Sequence, residues 1–96
     1  MVHAIRPLVE KLAHCDSGLY KQLRAAASSV PLNLAEGWRR TKGDRLHHYR
    51  IAAGSADETR TCLQVAQAWG YLEREELEVA LDLLDQIVAI CWRLTH

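Results

Sequence analysis

No phenylalanine occurs in the chain, and only two prolines and five glycines punctuate its 96 residues, so there are few places where a helix must break. Long apolar runs are missing as well. No stretch approaches the ~20 residues that a membrane-spanning helix requires, and no membrane partner is expected. The N-terminal segment Met1-Val2-His3-Ala4-Ile5-Arg6-Pro7-Leu8 lacks the basic region, apolar run and small-residue cleavage site of a secretory signal. A cytoplasmic location is the resulting expectation. An excess of either charge is absent too: twelve Lys and Arg balance twelve Asp and Glu, which argues against a nucleic-acid clamp driven by bulk charge but leaves room for a local patch. The cysteines Cys15, Cys62 and Cys91 are odd in number, far apart and never spaced Cys-x-x-Cys. They read as reduced thiols, small enough to fill helical cores.

What is present is helix-forming. Ala, Leu, Arg, Glu and Gln dominate, and the length accommodates one core, so residues 1–96 are expected to form a single domain. The breaks then set the architecture. Asp16-Ser17-Gly18 reads as a stop followed by a restart, with Asp16 or Ser17 capping the next helix. Thr41 and Asp44 have capping-box spacing. Gly70 follows Trp69 as a stop, and Glu73, Glu75 and Glu76 suit the positive end of a last helix. The spacing predicts helices over Val2–His14, Ser17–Arg40, Lys42–Trp69 and Glu73–Leu94, with Pro7 in a first turn and Pro31 kinking the second helix. Short connections favour an all-α, antiparallel up-down-up-down four-helix bundle.

The last helix is the most regular. Leu77, Ala80, Leu81, Leu84, Ile87, Val88, Cys91 and Leu94 recur at helical spacing as a core face. Val79, Leu83 and Ile90 make a second row that one bundle of this size has no room to bury, so they are the candidate surface for self-association. The small residues Ala52-Ala53-Gly54-Ser55-Ala56 permit close approach of another helix, within the chain or from a second copy. Trp38, Trp69 and Trp92 lie near predicted helix ends, where closing the core or an interface is the common use and stacking of Trp38 on a base a rarer one.

Charge is segregated: Arg39, Arg40, Lys42, Arg45 and Arg50 crowd one segment, while Glu73, Glu75, Glu76, Glu78, Asp82 and Asp85 crowd another. The basic group is read either as a solvated helix end or as a surface for a polyanion or a neighbouring copy. On one side of the second helix, Ser29, Asn33, Glu36 and Arg40 project beside Pro31, with Glu36 and Arg40 spaced for an ion pair. Fixing helix register is the reading given to this strip, since no nucleophile is paired with a base. Glu58 and Arg60 flank the apolar arc of the third helix and call for partners across the bundle. Adjacent His47 and His48 point about 100° apart on a helix and make a poor metal site. No motif for a cofactor, metal or catalytic centre is present.

Ser29-Val30-Pro31-Leu32-Asn33-Leu34-Ala35-Glu36-Gly37, then Ile51-Ala52-Ala53-Gly54-Ser55-Ala56-Asp57-Glu58, then Gly70-Tyr71-Leu72, resemble the four-helix-bundle family of proteins encoded by ribosomal RNA intervening sequences. The accessory variability determinants of diversity-generating retroelements are similar. The resemblance implies a homopentameric ring of four-helix bundles and an association with nucleic acid. It also implies structural roles for Pro31, Asn33, Glu36, Gly37, Gly54, Ser55 and Glu58. The combined expectation is a non-enzymatic homo-oligomer that binds RNA or DNA through Arg39, Arg40, Lys42 and Arg45; the alternative is a structural or protein-interaction module.

Overall fold

The computed structural model describes all 96 residues as four α-helices without strands: α1 (Val2–Cys15), α2 (Ser17–Arg39), α3 (Lys42–Ala68) and α4 (Arg74–Thr95). Each boundary lies within one residue of the position expected from the breaks. No helix is long and apolar enough to cross a membrane. α2 packs chiefly on α3, α3 on α4, and α1 touches both α2 and α4.

The helix ends follow from identifiable hydrogen bonds. Asp16 alone separates α1 from α2: its backbone N–H donates to the Leu12 carbonyl, and its side chain accepts from the Leu19 N–H at 3.0 Å. Gly70, at φ +81°, closes α3 with bonds from its own N–H to Gln67 and from Tyr71 N–H to Ala66. This pairing satisfies two orphan carbonyls and requires the left-handed conformation that glycine adopts without penalty. At α4, the Glu76 carboxylate accepts the Glu73 N–H at 2.8 Å and also binds Lys11 Nζ of α1 at 2.9 Å.

Two local expectations are corrected. The Thr41 side chain makes no capping bond. Lys42, the first residue of α3, has φ +46°, which departs from the regular first turn that a capping box needs. Pro7 lies inside α1, whose buried Ile5, Leu8 and Leu12 stripe holds the turn ahead of it in place. α2 runs unbroken through Pro31.

The main core joins Ile5, Leu8 and Leu12 of α1 to Leu19 and Leu23 of α2, Leu63 of α3, and Leu77 and Leu84 of α4, with Leu72 from the last connection. It occupies the part of the molecule that α1 covers. Fourteen residues of helix extend about 21 Å, half of the 42 Å long axis. Beyond α1, the buried groups are mostly smaller: Val30, Gly37, Ala52, Ala56 and Cys91, with Tyr49 the one aromatic. The three tryptophans do not close this core. Trp38, Trp69 and Trp92 are 74%, 72% and 58% exposed; Trp38 and Trp92 lie in the last turns of α2 and α4, and Trp69 follows the last residue of α3. Gly54 is likewise open, since a Cβ there would meet nothing within 4 Å. Within one chain, Ala52 and Ala56 of the same small-residue run are fully buried, and Ser55 bonds to α2.

Candidate functional site

The end of α2 and the start of α3 bring the basic residues together. Glu36 stands at the centre, with its carboxylate 2.8 Å from Arg40 Nη2 and 3.5 Å from Arg39 Nη2. The hydrogen bond from Arg40 holds the Glu36 carboxyl below its ordinary range, against a smaller opposing effect of burial; the charges of Arg40, Arg39 and His48 add to the lowering. The anticipated Glu36–Arg40 pair is therefore present, and Arg39 joins it. Lys42 and Arg50 are exposed and enter no ion pair.

Arg45 behaves differently from its neighbours. Its Nε donates to the carbonyls of Gly37 at 3.2 Å and Arg40 at 3.0 Å, and its Nη2 donates to the Trp38 carbonyl at 3.1 Å. The Trp38 and Arg40 carbonyls have no backbone donor, while that of Gly37 also accepts the Arg40 N–H at 3.1 Å, so Arg45 of α3 caps α2 from outside. The guanidinium carbon lies 5.7 Å from the centroid of the Trp38 ring, within cation–π range. The sequence showed the charge of Arg45 but not this use of it, since the acceptors are up to eight positions away on another helix.

Beside this turn runs a polar ladder. Ser55 Oγ donates to Ser29 Oγ at 2.7 Å, and Asn33 Nδ2 donates to the Ser29 carbonyl at 2.9 Å and to Ser29 Oγ at 3.0 Å. The amide oxygen of Asn33 then faces His48 Nδ1 at 3.1 Å, which makes Nδ1 the donor. Of the strip expected to fix register, Ser29 and Asn33 bond to Ser55 and His48 of α3, whereas Glu36 and Arg40 pair with each other at the end of α2; in the sequence His48 reads only as a poor metal ligand. Below them Gly37 meets Tyr49: a Cβ on Gly37 would lie 2.7 Å from the Tyr49 ring. Pro31 is exposed on the same helix and contributes no bond to the ladder.

Glu58 is exposed and unpaired. Solvation replaces the cross-bundle partner expected for it. Arg60 does cross, binding Asp85 of α4 at 2.9 Å and Asp57 at 2.6 Å. His47 and His48 meet edge to face at 5.5 Å. On α4, Val79 is 66% and Ile90 48% exposed, while Leu83 is half-buried.

Four helices around a small core, a ladder that sets α2 against α3, and a basic turn at their junction define an all-α helical protein with a charged end. Residues 1–93 match the family described as 23S rRNA-intervening sequence protein, and the chain belongs to that family. No curated protein and no solved structure matches it.

Proposed function

We propose that this chain is a cytoplasmic, non-enzymatic homo-oligomer whose repeated basic turns bind nucleic acid, with RNA the first candidate and DNA the second. The observation that carries the reading is the α2–α3 turn. There Arg39, Arg40 and Lys42 stand exposed within four consecutive residues; Arg39 and Arg40 share the Glu36 carboxylate, Lys42 enters no ion pair, and Asp44 is the one further acid of the turn. Such a local surplus attracts phosphates through counterion release although the chain is neutral overall. The family's name, which refers to an intervening sequence in 23S rRNA, makes RNA the natural ligand to test first.

The subunit in this reading is an antiparallel bundle. Ser29 meets Ser55, Asn33 meets His48, and Gly37 meets Arg45, so the pairing climbs α2 as it descends α3. The ring, with five copies as the family resemblance implies, is supported by the exposed apolar row of Val79 and Ile90 and by the length of α3 and α4 that α1 leaves uncovered. Repetition around a ring raises the avidity of a weak patch. A binding role in preference to catalysis is supported by the ladder itself: the two serine hydroxyls bond to each other, and His48 reaches Asn33 and neither serine.

Fluorescence anisotropy with single- and double-stranded RNA and DNA across a salt series tests the ligand. Replacing Arg39, Arg40 and Lys42 together by Ala is expected to weaken binding and flatten its salt dependence; unchanged affinity would refute the reading. Arg45 is varied separately because it caps α2. A second reading, a module that docks a partner protein, is favoured by the exposure of Leu32, Ile51, Trp92 and Leu94. Capture of a partner that survives high salt and is lost on replacing these side chains by polar ones would select it.

A further inference from the structure

We propose that Trp38, backed by Arg45, is a stacking platform for an unpaired base, so that the ligand class of the basic turn is single-stranded nucleic acid in preference to duplex. This inference rests on the nucleic-acid reading above and narrows it.

The three tryptophans separate cleanly by their surroundings. Trp92 stacks on His96 of its own chain, with ring centroids 4.3 Å apart and planes 10° from parallel, which leaves its other face free, but Arg93 is the one basic residue in the last turn of that helix. Trp69 is open, but it precedes the acidic run of Glu73, Glu75 and Glu76, which repels a phosphate chain. Trp38 is the most exposed of the three at 74%. It is also the one flanked by cations, with Arg39, Arg40 and Lys42 following it and Arg45 5.7 Å from its ring centroid.

The platform is held in place. The three carbonyl bonds of Arg45 fix its guanidinium against the last turn of α2, including the carbonyl of Trp38 itself. Those same bonds remove Arg45 from the set of free phosphate ligands and leave the phosphates to Arg39, Arg40 and Lys42. An exposed indole accepts any base because every base has a π-face, and neighbouring cations hold the flanking phosphates. A base inside a duplex offers no free face and reaches the indole only after it is unstacked and unpaired. Preference for single strands follows from that difference.

The test uses a Trp69→Phe, Trp92→Phe background in which Trp38 is the sole tryptophan, titrated with single-stranded RNA, single-stranded DNA and a long duplex at equal phosphate concentration. Single strands are expected to quench Trp38 fluorescence, and Trp38→Ala to weaken their binding about tenfold while leaving duplex binding and helicity as they were. Trp38→Tyr is expected to restore most of the loss. Quenching by either polymer supports the platform, and the tighter of the two identifies the source of the base. Binding of all three without quenching, or equal loss of single-strand and duplex affinity in Trp38→Ala, overturns the platform and leaves the basic-turn reading standing. Binding of none overturns both.

Discussion

Arg45 shows how far a side chain's use can depart from its charge. Two of its nitrogens are committed to the carbonyls of Gly37, Trp38 and Arg40, so Arg45→Ala is expected to cost about 1 kcal/mol of stability in urea unfolding by leaving the Trp38 and Arg40 carbonyls to solvent, while Gly37 keeps the Arg40 N–H. Gly37 is constrained by proximity. Its Cβ would fall 2.7 Å from the buried Tyr49 ring, and Gly37→Ala is expected to destabilise by about 1–3 kcal/mol, overriding the gain in helix propensity. The acid limb of stability has an assigned contributor in Glu36. Its carboxyl is held below the ordinary 4.5 by Arg40, so its stabilising contribution is present above that value and is lost as pH falls through the lower folded one. Glu36→Gln is expected to remove this part of the acid dependence, read from unfolding midpoints across the series. Burial pushes the Cys62 and Cys91 thiols up, whereas Cys15 is exposed. Alkylation of the folded protein is therefore expected to label Cys15 alone, with the other two reacting only on unfolding. The thiols were legible as a class in the sequence; which one faces solvent was not, because that depends on where the helix faces meet.

At the scale of the helices, α2 and α3 are registered by hydrogen bonds and small side chains more than by bulk. Ser55→Ala removes the 2.7 Å bond to Ser29 and is expected to cost about 1 kcal/mol in thermal or urea unfolding. Helix starts and stops were legible because Asp16, Gly70 and Glu73 act within a few residues of themselves. The Thr41–Asp44 capping box was misread for the opposite reason. That turn is shaped by Arg45 reaching back to α2, and its Lys42 takes φ +46°, neither of which local spacing encodes. The polar strip at Ser29, Asn33 and Glu36 was visible as a pattern, while its division into a ladder and a separate ion-pair group needed the partners His48, Ser55 and Arg39.

Over the whole molecule, α1 is too short to cover the longer helices, and the part it leaves bare coincides with the basic turn. In the proposed assembly, neighbouring copies supply that cover and bring several turns together. Light scattering is expected to give a mass near five times the 10.9 kDa chain, and Val79→Asp with Ile90→Asp to reduce it toward the monomer while helicity persists. Gly54 offers a second probe. It faces open space, so Gly54→Ala alone is expected to gain about 0.5–1 kcal/mol from helix propensity. A loss of oligomer mass with Gly54→Leu would place that stripe at a subunit contact.

Composition, breaks and periodicity were sufficient for four helices, their limits and the four buried residues of α4, Leu77, Ala80, Leu84 and Cys91, because each of these rests on interactions a few residues apart. Leu94, expected on the same face, is 46% exposed, and Leu81, Ile87 and Val88 are half-buried. The family, too, was legible in short blocks of sequence. Tertiary structure decided which polar groups pair, which cysteine is open and where the tryptophans stand. It alone joined Arg45 to the carbonyls of α2 and set Trp38 outside the core, since both depend on the relative placement of two helices, which no local propensity determines.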